Sequence, residues 1–347
     1  MTRIAFSWNG LPQYAARLLR GALDVVGDDC AIVGSRPTVP VDGMEQALKH
    51  AIHWVDASQP VRWRDIGLAV PPVYFQSGWA YPAFSALGRE VRDNGGRVVG
   101  LSDANWRGDF RQIVLGAAAF RLRHRDHFDA VLVPGRQGKR VMRWFGMPEG
   151  RIHMGMYGAD PALFSSHDPL ANRPKTFLYV GQFIARKDVL GLAEAFIAFS
   201  ASHPDWSLHL VGGGEQRALI PAHPRIIVDD FVQPESLAER FAAARFLVLP
   251  SRVEAWGLVV HEAALSGCGL VLSDAIGSGD DLCTALNGVR FRAGDTADLS
   301  RALARAAAFD DRRLAAAEAE SLKLAAEFGP RRFGREVESL VQNFFAE

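Results

Sequence analysis

Cysteine is scarce: Cys30, Cys268 and Cys283 are the three in 347 residues, and no Cys-x-x-Cys pair occurs. That excludes a disulfide scaffold, and buried free thiols in a reducing compartment are expected rather than a catalytic thiol. Net charge is missing too, 39 basic residues balancing 39 acidic ones, so broad attraction to nucleic acid is excluded and any polyanion site must be local. No apolar run approaches the roughly 20 residues that span a bilayer. The opening Met-Thr-Arg-Ile-Ala-Phe-Ser-Trp has no basic-then-apolar signal pattern, so a cytoplasmic protein is expected, at most touching the inner face of a membrane. Repeats and low-complexity tracts are absent, which removes solenoids and propellers. Asp-x-Asp occurs nowhere, so no catalytic metal is expected.

What is present is an ordinary globular composition, 48% hydrophobic and 22% charged. The length suits two domains of roughly 150 residues each. Short runs rich in Val, Ile, Leu and Phe alternate with helical patterns, the signature of a parallel α/β chain. Strands are expected at 3–8, 30–33, 52–55, 73–76, 97–101 and 130–133, with helices at 13–26, 82–94, 110–123 and 137–146. The same logic repeats with strands at 177–180, 207–211, 226–228, 246–249 and 269–272 and helices at 187–202, 235–243 and 257–266. Between the halves, Asp160 to Pro174 holds three prolines among small polar residues, a linker composition. Ala-rich helices fill 299–327, and Phe333, Val337, Leu340, Val341, Phe344 and Phe345 form one stripe of a last helix. The expected domains are 1–165 and 166–328, followed by a terminal helix over 329–347.

The most informative stretch is Pro250-Ser-Arg-Val-Glu254-Ala-Trp-Gly257-Leu258-Val259-Val-His-Glu262. It reads as a strand end, a loop with one carboxylate and a helix bearing a second. A helix starting near Gly257 presents unpaired N–H groups and its positive dipole end beside Glu254, which suits a diphosphate. The two acids with seven residues between them, in Glu-Ala-Trp-Gly-Leu-Val-Val-His-Glu-Ala, resemble the E-x7-E signature of retaining glycosyltransferases of family 4. The resemblance implies a GT-B fold: two Rossmann-like doubly wound parallel-sheet domains facing each other across a cleft, acceptor-binding first and donor-binding second, with the last helix crossing back to the first domain. It implies that Glu254 faces the sugar near its anomeric carbon and that Glu262 accepts hydrogen bonds from the ribose.

Phe177-Leu-Tyr-Val-Gly181-Gln182-Phe-Ile-Ala-Arg186-Lys187-Asp188 reads as a strand, a glycine turn and a basic pair at a helix start. The glycine lets backbone approach a ligand, and the cations neutralise phosphate or simply sit in solvent. Family members carry Gly-Arg in this turn and a Lys six residues after the Gly, both on the donor diphosphate. Lys187 matches that pattern, whereas Gln182 lacks the charge, and Arg186 is expected to supply it. Val211-Gly212-Gly-Gly-Glu resembles the family's next glycine turn, though alone it marks only a tight turn. Asp230-Phe231-Val232 resembles the segment that contacts the donor base. Ser273 to Asp281 and Asn287-Gly288 resemble two later turns of the family.

In the first half, Trp8-Asn-Gly10 resembles the family's first glycine loop. Where family members place a histidine after a central strand, this chain has Leu101-Ser-Asp103-Ala-Asn105-Trp, so Asp103 or Asn105 is expected to face the acceptor. Val133 to Arg136 and Arg151 to Asp160 also resemble family segments. His124 and His127 have the spacing of a metal pair without a third ligand, and a solvated basic helix is the simpler account. Arg111, Arg121, Arg123 and Arg125, with Arg136, Lys139, Arg140 and Arg143, offer a peripheral contact for anionic lipid or a lipid-linked acceptor.

The resemblance thus implies a metal-independent hexosyltransferase that moves a sugar from a UDP- or GDP-sugar to a glycan or lipid-linked acceptor in surface-polysaccharide or glycoconjugate synthesis. No cofactor and no nucleic acid are implied. Lys187, Arg186 and the amides of Gly257 to Val259 would stabilise the leaving diphosphate, and Glu254 the oxocarbenium-like sugar. An epimerase or phosphorylase on the same architecture, or a noncatalytic nucleotide-sugar module, stays open. A nicotinamide dehydrogenase would need a G-x-G-x-x-G turn that Gly212 to Gly214 does not supply.

Overall fold

In a parallel sheet covered on both faces, every strand residue is buried and the sequence runs apolar without alternation. Ile4–Trp8 and Cys30–Gly34 are buried at every position, and such runs define the architecture. The computed structural model describes residues 3–37, 43–165 and 168–346.

Two compact units result, one made of residues up to Gly158 together with those from Phe328 onward, the other of Ala159–Glu327. Residue 166, at the boundary expected from sequence, lies outside the described residues. Unit 1 contains, in chain order, β1 (Ile4–Trp8), α1 (Gln13–Val26), β2 (Cys30–Gly34), α2 (Met44–Leu48), β3 (Ile52–Trp54), β4 (Val73–Ser77), α3 (Pro82–Asp93), β5 (Arg97–Leu101), α4 (Ala117–Arg123), β6 (Ala130–Val133), α5 (Arg136–Trp144) and β7 (Ile152–Met154). Unit 2 contains β8 (Thr176–Val180), α6 (Val189–Ser200), β9 (Ser207–Val211), β10 (Ile226–Asp229), α7 (Pro234–Ala242), β11 (Phe246–Leu249), α8 (Leu258–Leu265), β12 (Gly269–Ser273), α9 (Gly279–Leu282), β13 (Gly288–Phe291), α10 (Thr296–Ala307) and α11 (Asp311–Ala325). The last helix, α12 (Pro330–Ala346), belongs to unit 1.

The seven-stranded sheet of unit 1 has the order β3-β2-β1-β4-β5-β6-β7 and the six-stranded sheet of unit 2 the order β10-β9-β8-β11-β12-β13. Every described strand pairing is parallel. Each sheet therefore reverses direction between its first and fourth strands, and ligands of such sheets bind at the carboxyl ends beside that reversal. The alternation of β1 sends Ile4, Phe6 and Trp8 into the core beneath α1 and α12, while Ala5 joins the opposite core with Tyr74, Phe84 and Phe120. α12 approaches α1 closely because two glycines face the contact. A Cβ on Gly21 would lie 2.4 Å from Pro330 Cβ, and one on Gly334 would lie 2.6 Å from the Gly21 carbonyl oxygen.

The helix expected over 110–123 forms, but its first part, Arg111–Gly116, is a π turn that runs into α4. The wider turn directs Gln112 inward. Its amide donates to the Asn105 carbonyl at 2.7 Å, and its oxygen accepts from the Arg107 and Gly108 N–H groups at 2.8 and 3.2 Å. Strands β7 and β13 and helices α2 and α9, each three to five residues long, were not among the expected elements. Cys30 and Cys268 are buried thiols, while Cys283 is only half-buried.

Candidate functional site

At the reversal of the unit 2 sheet, the loops after β8 and β11 meet. The turn after β8 is fastened by Gly181 N–H to the Val211 carbonyl at 3.0 Å and Phe183 N–H to the Gly213 carbonyl at 2.8 Å. A Cβ on Gly212 would sit 2.0 Å from the Gly181 carbonyl oxygen, so the glycine turn after β9 is first a packing requirement of these adjoining turns. The Tyr179 hydroxyl donates to the Gln182 carbonyl at 2.8 Å, leaving the Gln182 side chain exposed. Beyond it come Arg186, Lys187 and Asp188, the last at φ +55°. A left-handed aspartate costs on the order of 1–3 kcal/mol, a cost tolerated mainly where function fixes the backbone.

The loop after β11 is tied to this turn. Arg252 donates its N–H to the Arg186 carbonyl at 2.8 Å, and its guanidinium bonds Asp188 at 3.1 Å. On its other side it is laced to the loop after β12. Glu254 N–H reaches the Ala275 carbonyl at 3.3 Å, Gly277 N–H the Glu254 carbonyl at 3.1 Å and Ser278 N–H the Trp256 carbonyl at 3.0 Å. A Cβ on Gly277 would fall 1.9 Å from the Ala255 carbonyl oxygen, so only glycine allows this lacing.

The result is a convergence of charge. Lys187 Nζ pairs with Glu254 Oε2, both side chains being largely buried, and the half-exposed Arg186 guanidinium stands 3.9 Å from the same oxygen. Burial, then the Glu254 carboxylate, holds the Tyr179 phenol protonated far above its ordinary range. Next in the chain, Gly257 at φ +81° caps α8. The amides of Gly257, Leu258 and Val259 form the amino tip of α8, the end of a helix whose N–H groups and positive dipole suit an anion.

Glu262 follows on α8. Burial raises its carboxyl from 4.5 to about 7, and among the described residues no cation or hydrogen-bond donor faces it. A group of this kind is ready to accept hydroxyl hydrogen bonds once it is ionised. Beside it, His261 is wholly buried and neutral, burial lowering it to about 4. Its Nδ1 accepts from the Ala159 N–H at 2.8 Å and its Nε2 bonds the Ala325 carbonyl at 2.9 Å. Sequence reasoning gave His261 no role.

Phe231 and Val232 follow β10 on the same carboxyl edge, with the Phe231 ring exposed. Arg217 anchors the segment before them, 3.2 Å from Asp230 and 3.3 Å from the Gly212 carbonyl. No described contact joins Phe231 or Val232 to the Lys187–Glu254 pair.

Unit 1 has a counterpart at its own reversal. Gly10, at φ +55°, donates its N–H to Ser35 Oγ at 2.7 Å, and Asn9 N–H meets Ser77 Oγ at 3.2 Å, joining the ends of β1, β2 and β4. A cavity of about 370 Å3 opens there, walled by Trp8, Tyr14, Trp79, Tyr81, Asp103 and Tyr157 among others. The Tyr157 hydroxyl donates to Asp103 Oδ2 at 3.1 Å, and burial raises that phenol well above its ordinary value. Asp103 thus lines the cavity. Asn105 does not, its carbonyl being occupied by Gln112. The aromatic walls come from separated segments, of which Trp8 and Tyr157 lie in stretches already noted for their resemblance, while Trp79 and Tyr81 had no such signal. His127 Nε2 bonds Gln76 Oε1 at 2.9 Å, which gives that histidine a structural partner.

Comparison with known proteins agrees with this geometry. Residues 174–308 match the family model of glycosyl transferases group 1. Glycogen synthase of Mycobacterium tuberculosis is 32% identical over 144 residues, a match spanning 38% of this chain and about a third, 35%, of that protein. The structure is similar to sucrose-phosphate synthase from Thermosynechococcus elongatus, with TM-score 0.73 and 18% identity over 99% of both chains. It is also similar to the Anabaena protein HepE in complex with UDP and glucose, with TM-score 0.74 and 14% identity over 99% of this chain and 100% of that one. The chain therefore has the GT-B fold, and its residues 174–308 carry a domain that matches the glycosyl transferases group 1.

Proposed function

We propose that this protein is a retaining glycosyltransferase that moves a sugar from a uridine or guanosine diphosphate sugar to a glycan or lipid-linked acceptor, without a divalent metal, as in surface-polysaccharide synthesis. The observation that carries the proposal is the convergence of Lys187, Arg186 and Glu254 beside the amino tip of α8, inside the matched domain. Breaking a glycosidic bond to a diphosphate develops negative charge on the leaving group and positive charge on the sugar, so a site needs cations and an anion within a few ångströms of one another. In the proposed complex the diphosphate lies against Lys187, Arg186 and the amides of Gly257 to Val259. The backbone of Gly181 and Gly212 permits close approach, and Gln182 donates a neutral hydrogen bond. Glu262 accepts the ribose hydroxyls and the 231–232 segment lies along the base. Glu254, relieved of part of its pairing, faces the anomeric carbon and stabilises the oxocarbenium-like centre. The acceptor enters the aromatic cavity of unit 1, where Asp103 accepts from a hydroxyl.

Nucleoside diphosphates bound only to the folded state raise the melting temperature. UDP and GDP, the former suggested by the ligand of the HepE structure, are therefore tested with magnesium and with a chelator. Stabilisation by either, unchanged by the chelator, is expected. Glu254→Gln is expected to slow turnover at least 100-fold, in the range typical of a lost transition-state contact, with diphosphate affinity changed only a few-fold. A wild-type chain that binds UDP or GDP but turns over no donor sugar would make it a noncatalytic module. Failure of every diphosphate to bind would remove the proposal altogether.

A further inference from the structure

A surface helix ordinarily buries its apolar stripe and turns its polar face to water. The helix formed by the π turn Arg111–Gly116 and α4 does otherwise. Gln112, Ala117 and Phe120 point into unit 1, with Phe120 packed on Phe145 at 5.5 Å between ring centres. The opposite side presents Phe110 at 71% exposure, Leu115 at 56% and Leu122 at 85%. Arginines 111, 121 and 123 are exposed in the same stretch, and no carboxylate occurs from 110 to 125. The exposed Trp144 extends this surface, its indole N–H held by the Ile113 carbonyl at 2.8 Å.

Where α4 ends, a cavity of about 460 Å3 is walled by Arg89, Arg123, His124, His127, Gln76 and Ser85 among others, with no acid in its lining. Neither Arg89 nor Arg123 forms an ion pair among the described residues. The nearest acids of the helix are already engaged, Asp109 by Arg107 at 3.3 Å and Asp126 by Arg125 at 3.1 Å. Large apolar side chains held out in water beside uncompensated guanidinium groups match a surface that is apolar at depth and anionic at its rim. A bilayer of acidic phospholipids has that profile, whereas an acidic protein surface would complement only the arginines.

We propose that this face of unit 1 docks on an anionic lipid bilayer, with Phe110, Leu115 and Leu122 in the headgroup–acyl boundary and Arg89 and Arg123 on a lipid phosphate. The proposal stands on the exposed helix face and its cavity, whatever reaction the protein performs. The test is flotation of the full chain with vesicles of phosphatidylcholine alone and of phosphatidylcholine mixed with phosphatidylglycerol, at low and high salt. Binding is expected on the mixed vesicles, falling with salt. The double variant Leu115→Asp, Leu122→Asp is expected to lose at least ten-fold in partition. Arg89→Gln with Arg123→Gln should lose about five-fold per arginine, the worth of roughly 1 kcal/mol each at an anionic surface. All these positions are solvent-facing, and unchanged melting curves will confirm folded variants. Equal binding to both vesicle types, or undiminished binding by both variants, overturns the proposal. So does a face that binds no vesicle but drives self-association lost in the Leu115, Leu122 variant, which would assign it to a second copy of the chain.

Discussion

Glu262→Gln is expected to stabilise the empty protein above neutral pH while weakening its grip on a nucleotide. The carboxyl is raised from 4.5 to about 7 by burial alone. Below pH 4.5 both folded and unfolded chains hold this proton and the group costs nothing. Between 4.5 and 7 the unfolded chain releases it while the folded one retains it, so stability falls as pH rises, and above 7 the loss is complete. At about 1.36 kcal/mol per pH unit the ceiling is roughly 3 kcal/mol, trimmed by the partial solvent contact of the residue. Glutamine has no such titration. The variant should therefore melt several degrees higher at pH 8, at about 2–4 °C per kcal/mol, and at the wild-type temperature near pH 4. If ribose hydroxyls donate to the ionised carboxylate, UDP affinity of the wild type should rise roughly ten-fold from pH 6 to 8. The variant should show only the titration of the diphosphate itself, which cancels in the ratio of the two proteins. Calorimetric binding and thermal melts at four pH values measure both arms. An unchanged melting temperature at pH 8 would refute the desolvation argument. A raised one with unaltered affinity would refute the ribose role.

Arg186→Ala should weaken UDP or GDP binding about ten-fold, the loss of one charge-assisted contact; undiminished affinity in a titration would show that it does not replace the charge absent at Gln182. Gly277→Ala places a Cβ 1.9 Å from the Ala255 carbonyl oxygen, so the loop bearing Glu254 must shift, and turnover should fall far more than the melting temperature. Gly334→Val should cost about 1–3 kcal/mol through overpacking of α12 on α1, read from chemical denaturation followed by the fluorescence of unit 1 tryptophans such as Trp8. A wild-type denaturation curve from this variant would mean the two helices separate freely.

The strands were legible because burial on both faces leaves uninterrupted apolar runs such as Phe246–Leu249, closed off by glycine, proline or charge. The Lys187–Glu254 pair was not, since its members stand 67 positions apart in the chain and only the resemblance placed them in one site. Of the cavity of unit 1, the Trp8–Gly10 loop, Asp103 and the stretch holding Tyr157 were each noted in the sequence, but not that they meet. Its walls come from four chain segments near residues 8, 79, 103 and 157, and no local pattern announces their meeting. The helix at 110–123 was legible as a helix, but both its Gln112–Phe120 stripe and its Phe110–Leu122 stripe are apolar enough to be inward. Which one faces water is decided by the packing of Phe120 against Phe145, a tertiary fact. Glu262 was found by position, but its shifted proton affinity depends on burial, which no spacing encodes.

The neutral ring of His261 touches the chain where it enters unit 2, at Ala159, and where it is about to leave, at Ala325. The stretch that matches the group 1 model, 174–308, contains neither partner. Cut out and expressed by itself, that stretch would lose both of these backbone partners of the imidazole, and with α11 the helix that packs on α8. Anyone excising the donor half for calorimetry or crystallisation should begin no later than residue 159 and stop no earlier than 325, or expect an insoluble product.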